Sequence, residues 1–386
     1  MKKAILLLAT LLIAISCKSD EKPVSRLAGK ASLTAAETVE YTQFLSEQWR
    51  DSVKTALQKS FEAKELVRGS YTMRMDWRIF GDAPSDGRSL YISLHGGGGA
   101  PAEVNDQQWK NQIRLYQPAE GVYLCPRAIE NTWDLHFRPE SDGFYEEIIR
   151  MAVVHLGVNQ DKVYLMGYSA GGDGVWRLAP RMADHWAAAS MMAGHPGDVS
   201  LLSLRNLPFM IWCGELDAAY NRNQECAKRI EEMDALQAAD PEGYIHEGHI
   251  VKGKEHWMDL EDAAAVPWMA KYKRNPYPDK VVWQQGDEMK SSFYWLGVPL
   301  SQAEKGKKLE ARFTGNTVEI LSSDYSSVTV YLCDEMMDLD KPIKVVSGDK
   351  VLFEGAVTRS PAVLRQTLRE REDLSYLFPV RIDVKL

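Results

Sequence analysis

The run VYLMGYSAGGDG, residues 163 to 174, constrains the chain more than any other stretch. A strand-like segment leads into Gly167-Tyr168-Ser169-Ala170-Gly171, and a helical pattern follows to about Met182. The fit to G-x-S-x-G carries weight because of its context, a strand before the serine and a helix after it. A serine in so sharp a turn is held in a strained conformation, where Cβ atoms on its neighbours would collide with adjoining chain. Glycine removes those atoms. The turn lifts the hydroxyl clear of the sheet at a helix N-terminus. There, backbone N–H groups and the helix dipole favour a developing negative charge.

Strand and helix patterns alternate on both sides of this turn. Thr34 to about Arg68 is helical, with charged and apolar residues interleaved. Period-two runs in YTMRMDWRIFG and SLYISLHG predict strands. Helical VNDQQWKNQIRLY, strand GVYLCPRA and helical GFYEEIIRMAVVHLG lead to the serine turn. After it come strands at AAASMMAG and LPFMIWCG, helix QECAKRIEEMDALQ, strand YIHEGHIVKG and helical DLEDAAAVPWMAKY. Such alternation predicts an α/β fold with a mostly parallel sheet and helices on both faces, spanning residues 34–275. The pattern changes at RNPYPDKV, where two prolines break the helix. Short strands follow, with hairpins expected at Gly315-Asn316 and Gly348-Asp349, so residues 280–386 are expected to form a small all-β, sandwich-like domain.

Three further segments supply what a serine needs to act as a nucleophile. SLHGGGGAP sets His95 and Gly96 to Gly99 directly after a strand. Glycines there let a loop approach the serine and aim backbone N–H groups at an oxyanion, so the hole is assigned to Gly97 or Gly98 with Ala170. His95 is expected to orient that loop. A serine alcohol also needs a base, and the base needs an orienting acid. Asp217 and Glu215 follow the apolar strand LPFMIWC, and Asp198 follows the preceding strand; Asp217 suits the loop position best. His256, in KGKEHWMDL, lies between a strand and a helix, whereas His246 and His249 fall inside the strand. HEGH lacks the H-E-x-x-H spacing of a zinc helix, and no metal or organic cofactor is called for. Trp133, in ENTWDLHF, is a candidate substrate-binding ring or a buried lid anchor.

Taken together, these residues resemble the α/β-hydrolase superfamily. Within it, LHGGGGAP, PRAIENTWD, GYSAGGDG and GKEHWM are similar to the secreted poly(3-hydroxybutyrate) depolymerase and feruloyl or acetyl xylan esterase-like group, over roughly residues 70 to 275. The resemblance implies an α/β-hydrolase fold and a serine esterase in which Ser169, His256 and Asp217 match the triad positions. Those relatives often carry an HGC loop where this chain has HGGGG, so a polymer substrate does not carry over directly. A serine peptidase of the same fold, or a non-catalytic glycan-binding surface protein, would share many of these features.

The N-terminus predicts export. MKKAILLLATLLIAISC has two lysines, an apolar run too short to span a bilayer, and a cysteine after small residues. That pattern resembles a bacterial lipoprotein signal over residues 1–16, with Cys17 the lipidated residue and 17–33 a polar tether to the cell envelope. The formal charge of −8 is spread along the chain without a basic stripe, which argues against a nucleic-acid partner. Cys125, Cys213, Cys226 and Cys333 show no disulfide spacing and are expected to be buried free thiols.

Overall fold

A computed structural model describes residues 24–386; the expected signal peptide, Cys17 and residues 18–23 of the tether lie outside the described residues. Eight strands form the main sheet: β1 (Glu65–Arg68), β2 (Tyr71–Phe80), β3 (Arg88–Leu94), β4 (Gly121–Pro126), β5 (Val158–Tyr168), β6 (Ala188–Met192), β7 (Phe209–Gly214) and β8 (His246–Val251). Their order is β1-β2-β4-β3-β5-β6-β7-β8. β1 and β2 pair antiparallel, β2 meets β4 antiparallel, and every later pairing is parallel. Parallel strands in the middle of such a sheet are covered on both faces. Accordingly β4, β6 and β7 are buried at every position, while the edge strand β8 is largely accessible.

The helices are α1 (Ala35–Ala63), α2 (Ala102–Leu115), α3 (Ser141–His155), α4 (Ala170–Arg181), α5 (Arg222–Ala239) and the short α6 (Ala265–Met269). Phe144 and Ile148 of α3, Trp176 of α4 and Met233 of α5 pack with Leu90, Ile92 and Leu165 against one face. Trp109 and Ile113 of α2 and Trp268 of α6 pack with Tyr91, Tyr123 and Met210 against the other. This is the doubly covered sheet of an α/β-hydrolase fold. Helix α1 begins in a capping box between Thr34 and Glu37 and ends at Lys64 in a left-handed conformation (φ 55°). It is therefore shorter than its charge pattern indicated, and the residues after it enter β1.

The C-terminal segment is β-rich, as expected. β9 (Lys280–Gln284), β10 (Ser292–Phe293), β11 (Leu296–Gly297), β12 (Lys308–Thr314), β13 (Thr317–Ser323), β14 (Ser327–Leu332), β15 (Ile343–Ser347), β16 (Lys350–Gly355) and β17 (Val380–Lys385) form two sheets, ordered β16-β15-β13-β12-β9 and β10-β11-β14-β17. Both expected hairpins are present, closing at Thr314–Thr317 and Ser347–Lys350. The segment is not all-β, however: it holds helix α7 (Pro361–Arg371), capped by Ser360 with proline in its first turn and held by Leu364 packing on Leu27 and Tyr41.

Two further features depart from the sequence-based picture. Residues 24–33, expected to belong to a polar tether, are anchored at two points: Leu27 is fully buried, and Leu33 is buried and bridges to Arg359. Leu27, Leu33, Tyr41 and Leu45 form an apolar cluster with Leu364 and Leu377, which offsets the polarity of their neighbours. The second departure is that one hydrophobic core runs through both halves of the chain, from Leu204 and Phe209 to Trp283, Leu309 and Val330.

Candidate active site

Ser169 sits between the last residue of β5 and the first of α4, at φ 58° and ψ −122°. For a residue with a Cβ this is a strained conformation, and it persists because the surroundings impose it. Ser169 N–H donates to the Met192 carbonyl at 2.9 Å, and its own carbonyl accepts from Asp173 N–H at 3.0 Å. The flanking glycines are there for close approach: a Cβ on Gly171 would stand 2.1 Å from the Leu94 carbonyl oxygen, and one on Gly167 2.4 Å from the Gly171 carbonyl oxygen. Helix α4 thus lies directly on the sheet and aims the serine outward.

His256 and Asp217 come to this serine from two other loops. His256 Nε2 lies 2.9 Å from Ser169 Oγ, and His256 Nδ1 lies 2.7 Å from Asp217 Oδ2. Asp217 is 2% exposed, and its other oxygen accepts from Arg222 Nη1 at 3.2 Å. The competing acids are engaged elsewhere. Asp198 pairs with Arg177 and Lys305, both at 2.8 Å, and these partners hold its carboxyl well below the usual range. Glu215 accepts from Gly253 N–H at 2.7 Å. His246 bonds the Tyr244 carbonyl and Asp234, and His249 stacks on Trp212 at 4.0 Å, so neither ring joins the serine.

The glycine loop lies against the same serine. A Cβ on Gly96 would stand 3.3 Å from Ser169 Cβ, and one on Gly98 3.6 Å from Ala170 Cβ. Gly97 and Gly98 adopt φ 123° and 82°, which glycine tolerates and other residues do not. His95 is buried beneath them. Its Nδ1 lies 2.6 Å from the Gly96 carbonyl and its Nε2 accepts from Ala128 N–H at 3.1 Å, which assigns the neutral Nδ1–H tautomer. Burial pushes the ring's pKa down to about 3, so it stays neutral. His136 Nε2 in turn donates to the His95 carbonyl at 2.8 Å.

Several residues of the site carried no signal in the sequence. Asn105 on α2 donates to the Gly98 and Ala100 carbonyls at 3.1 and 3.0 Å, holding the loop from outside. Tyr168 Oη donates to the His256 carbonyl at 2.6 Å and accepts from Met258 N–H at 3.2 Å, pinning the histidine loop from its other side. Arg222 lies five residues beyond Asp217 and was invisible without the turn between them. Trp133 is 67% exposed and packs edge-on to Phe137 at 5.3 Å, so it is an open ring at the mouth and not a buried anchor. Asp173, in the first turn of α4, accepts from His195 N–H at 2.6 Å, and burial raises its carboxyl above the usual range.

Two clefts meet at Ser169. One, of about 320 Å³, is walled by Gly97–Gly99, Trp133, Phe137, Asp173, Arg177, Tyr220 and Arg222. The other, of about 670 Å³, is walled by Gly96, Val104, Gln108, Asn111, Tyr168, His256 and Trp257. Among the described residues no cluster of three or more His, Cys, Asp or Glu side chains could hold a metal ion. Cys125, Cys213, Cys226 and Cys333 are all buried and unpaired.

No protein-family model matches the chain, and no curated protein resembles it in sequence. Solved structures with a similar chain path include a thermostable esterase, at 16% identity and a TM-score of 0.43 over 55% of this chain and 64% of that one. A phospholipase/carboxylesterase from Dyadobacter fermentans matches at 14% identity and a TM-score of 0.38, over 53% of this chain and 100% of that one. Est1E from Butyrivibrio proteoclasticus, solved with ferulic acid bound, matches at 13% identity and a TM-score of 0.35, over 54% of this chain and 96% of that one. The match thus spans less than two thirds of the thermostable esterase.

Proposed function

We propose that the protein is a serine hydrolase of carboxylic esters, with Ser169 as nucleophile, His256 as general base and acid, and Asp217 as the group that orients the imidazole. The observation that carries this reading is the unbroken chain Ser169 Oγ–His256 Nε2 (2.9 Å) and His256 Nδ1–Asp217 (2.7 Å) beside a loop of glycines. Ser169 Oγ attacks the ester carbonyl carbon while its proton passes to His256 Nε2. Asp217 accepts from Nδ1–H and stabilises the resulting imidazolium. The N–H groups of Gly97 or Gly98 and of Ala170 receive the oxyanion, a contribution of about 3 kcal/mol for one such donor. The alcohol leaves with the proton from Nε2, and water, deprotonated by the same ring, then releases the acid and restores Ser169.

The open aromatic rings at the mouth, Trp133, Tyr220 and Trp257, favour an ester carried on a ring-bearing compound such as an acylated carbohydrate. Export and attachment to the cell envelope through Cys17 belong to the same reading and rest on the N-terminal sequence; palmitate should label the wild-type protein and not a Cys17→Ala variant.

Ser169→Ala is expected to abolish turnover of 4-nitrophenyl acetate and labelling by a fluorophosphonate, with the circular dichroism spectrum and melting temperature of the wild type retained. Turnover at the wild-type rate in this variant would exclude Ser169 as nucleophile. Cleavage of peptides without cleavage of any ester would replace the esterase reading with that of a peptidase.

A further inference from the structure

The two clefts that meet at Ser169 are not equivalent, because His256 lines the larger and not the smaller. That difference has a chemical consequence, and it rests on the esterase reading above. When the tetrahedral intermediate collapses, the bond from the carbonyl carbon to the alcohol oxygen breaks, and the proton on His256 Nε2 passes to that oxygen. The departing oxygen must therefore lie within hydrogen-bond reach of Nε2. The acyl carbon stays bonded to Ser169 Oγ, so its substituent must extend to the other side.

We propose that the cleft walled by Trp257, Gln108 and Asn111 is the alcohol subsite and takes a bulky uncharged polyol ring, whereas the cleft walled by Trp133 and Tyr220 receives the acyl group.

The walls fit this division. No Asp, Glu, Lys or Arg side chain lines the larger cleft. Trp257 presents an open ring, 46% exposed, packed beside Tyr168 at a centroid distance of 5.6 Å. Gln108 and Asn111 are exposed on the adjacent face of α2. Amides both donate and accept, as a hydroxylated ring requires, and an indole supplies a flat surface for its apolar face. A charged alcohol would find no counter-ion there, and a plain alkyl chain would make no use of the exposed amides. Asn111 Oδ1 already accepts from Gln107 Nε2 at 2.8 Å, while the Asn111 N–H donors stay open to a hydroxyl. The larger cleft, about 670 Å³, has room for such a ring; the smaller, about 320 Å³, suits a more modest acyl group. Trp133, the aromatic residue that stands out in the sequence, therefore serves the acyl side, and Trp257 is the residue that selects the alcohol.

Separate rate constants for acylation and deacylation test the assignment in the full-length protein. The substrates are methyl acetate, 4-nitrophenyl acetate, 4-nitrophenyl hexanoate and methyl 6-O-acetyl-glucoside. Trp257→Ala should lower kcat/KM for the acetylated glucoside by on the order of tenfold more than for methyl acetate. The same variant should hydrolyse a preformed acetyl-enzyme at close to the wild-type rate, because the alcohol has left by then. Trp133→Ala should do the reverse: a penalty that grows from acetate to hexanoate, is equal across alcohols, and persists in hydrolysis of the hexanoyl-enzyme. Exchange of these two patterns, or no discrimination by either variant, overturns the assignment while leaving the esterase reading intact. Failure of every ester to form an acyl-enzyme, with no fluorophosphonate adduct on Ser169, removes the esterase reading and the inference with it.

Discussion

Arg222 is the residue whose importance emerges only from packing. It donates to the buried oxygen of Asp217 that His256 does not use, and its guanidinium also lies over the Tyr220 ring at 5.0 Å. Arg222→Met would leave a carboxylate 2% exposed without its second partner. Breaking a buried pair in this way is expected to destabilise the fold by about 3 kcal/mol and to cut kcat/KM at least about tenfold as Asp217 loses its orientation, with partial rescue by lysine. Urea denaturation and ester kinetics on the two variants check this; full activity in the methionine variant would show that Asp217 is held without Arg222. His95 gives a second expectation at this scale. Its folded pKa of about 3 lies below the ordinary 6.5, so between those values the unfolded chain binds a proton that the folded one refuses. The stability it contributes is therefore complete above about pH 6.5 and is lost as pH falls toward 3, at up to about 1.4 kcal/mol per pH unit. Melts at pH 4 to 7 should show a shallower decline in His95→Gln than in the wild type; equal slopes would place the protonation elsewhere.

Among the elements, the junction of β5 and α4 is the most tightly determined. Gly171 and Gly172 would bring Cβ atoms to 2.1 Å from the Leu94 carbonyl oxygen and 2.6 Å from the Met192 carbonyl oxygen, both of them backbone atoms that cannot swing away. Gly171→Ala is expected to push α4 off the sheet, lowering stability by at least about 2 kcal/mol and abolishing activity together with it. A variant that melts like the wild type would mean that the helix does not lie as close as described. The glycine spacing made this element readable from sequence, since only a sharp turn against a sheet calls for so many. The ends of the helices were less readable. α1 stops at Lys64 because a left-handed residue and the pairing of β1 take over, although charged and apolar residues continue to interleave to Arg68. α7 is short and lies within a strand-rich segment. The all-β expectation passed over it, and its burial depends on distant partners, Leu364 packing with Leu27 and Tyr41.

Across the whole molecule, the two halves are joined by more than a linker. Arg274 donates to Asp161 and Asp373 at 2.6 Å each and to the Asp184 carbonyl at 2.8 Å. Tyr376 Oη donates to that same carbonyl at 2.7 Å, and Arg371 pairs with the Asp184 carboxylate at 3.3 Å. These groups are buried and would be left unpaired if the halves separated, which costs roughly 1–3 kcal/mol for each orphaned group. The protein is therefore expected to unfold in one calorimetric transition, and a chain ending at residue 275 is expected to be insoluble. Two resolved transitions, or a soluble and active truncated chain, would show that residues 34–275 fold alone. The proline break near residue 275 marks a change of secondary structure legibly, but a boundary in pattern is not a boundary in packing, and the shared core crosses it.

Sequence by itself determined the type of sheet, the serine turn, the glycine loop, and a short roster of acids and imidazoles on loops after strands. Those follow from local rules: steric exclusion at a turn and the periods of helix and strand. Loop position already favoured Asp217 and His256, but only tertiary structure brought that acid to that ring. Glu215 and Asp217 are two residues apart, and the difference between them is the direction each side chain takes once the loop closes. Tertiary structure also decided that Trp133 and Trp257 line different clefts meeting at Ser169, and that Arg222 completes the carboxylate's partners. Distances between residues far apart in the chain are set by how layers stack, and stacking is a property of the whole core.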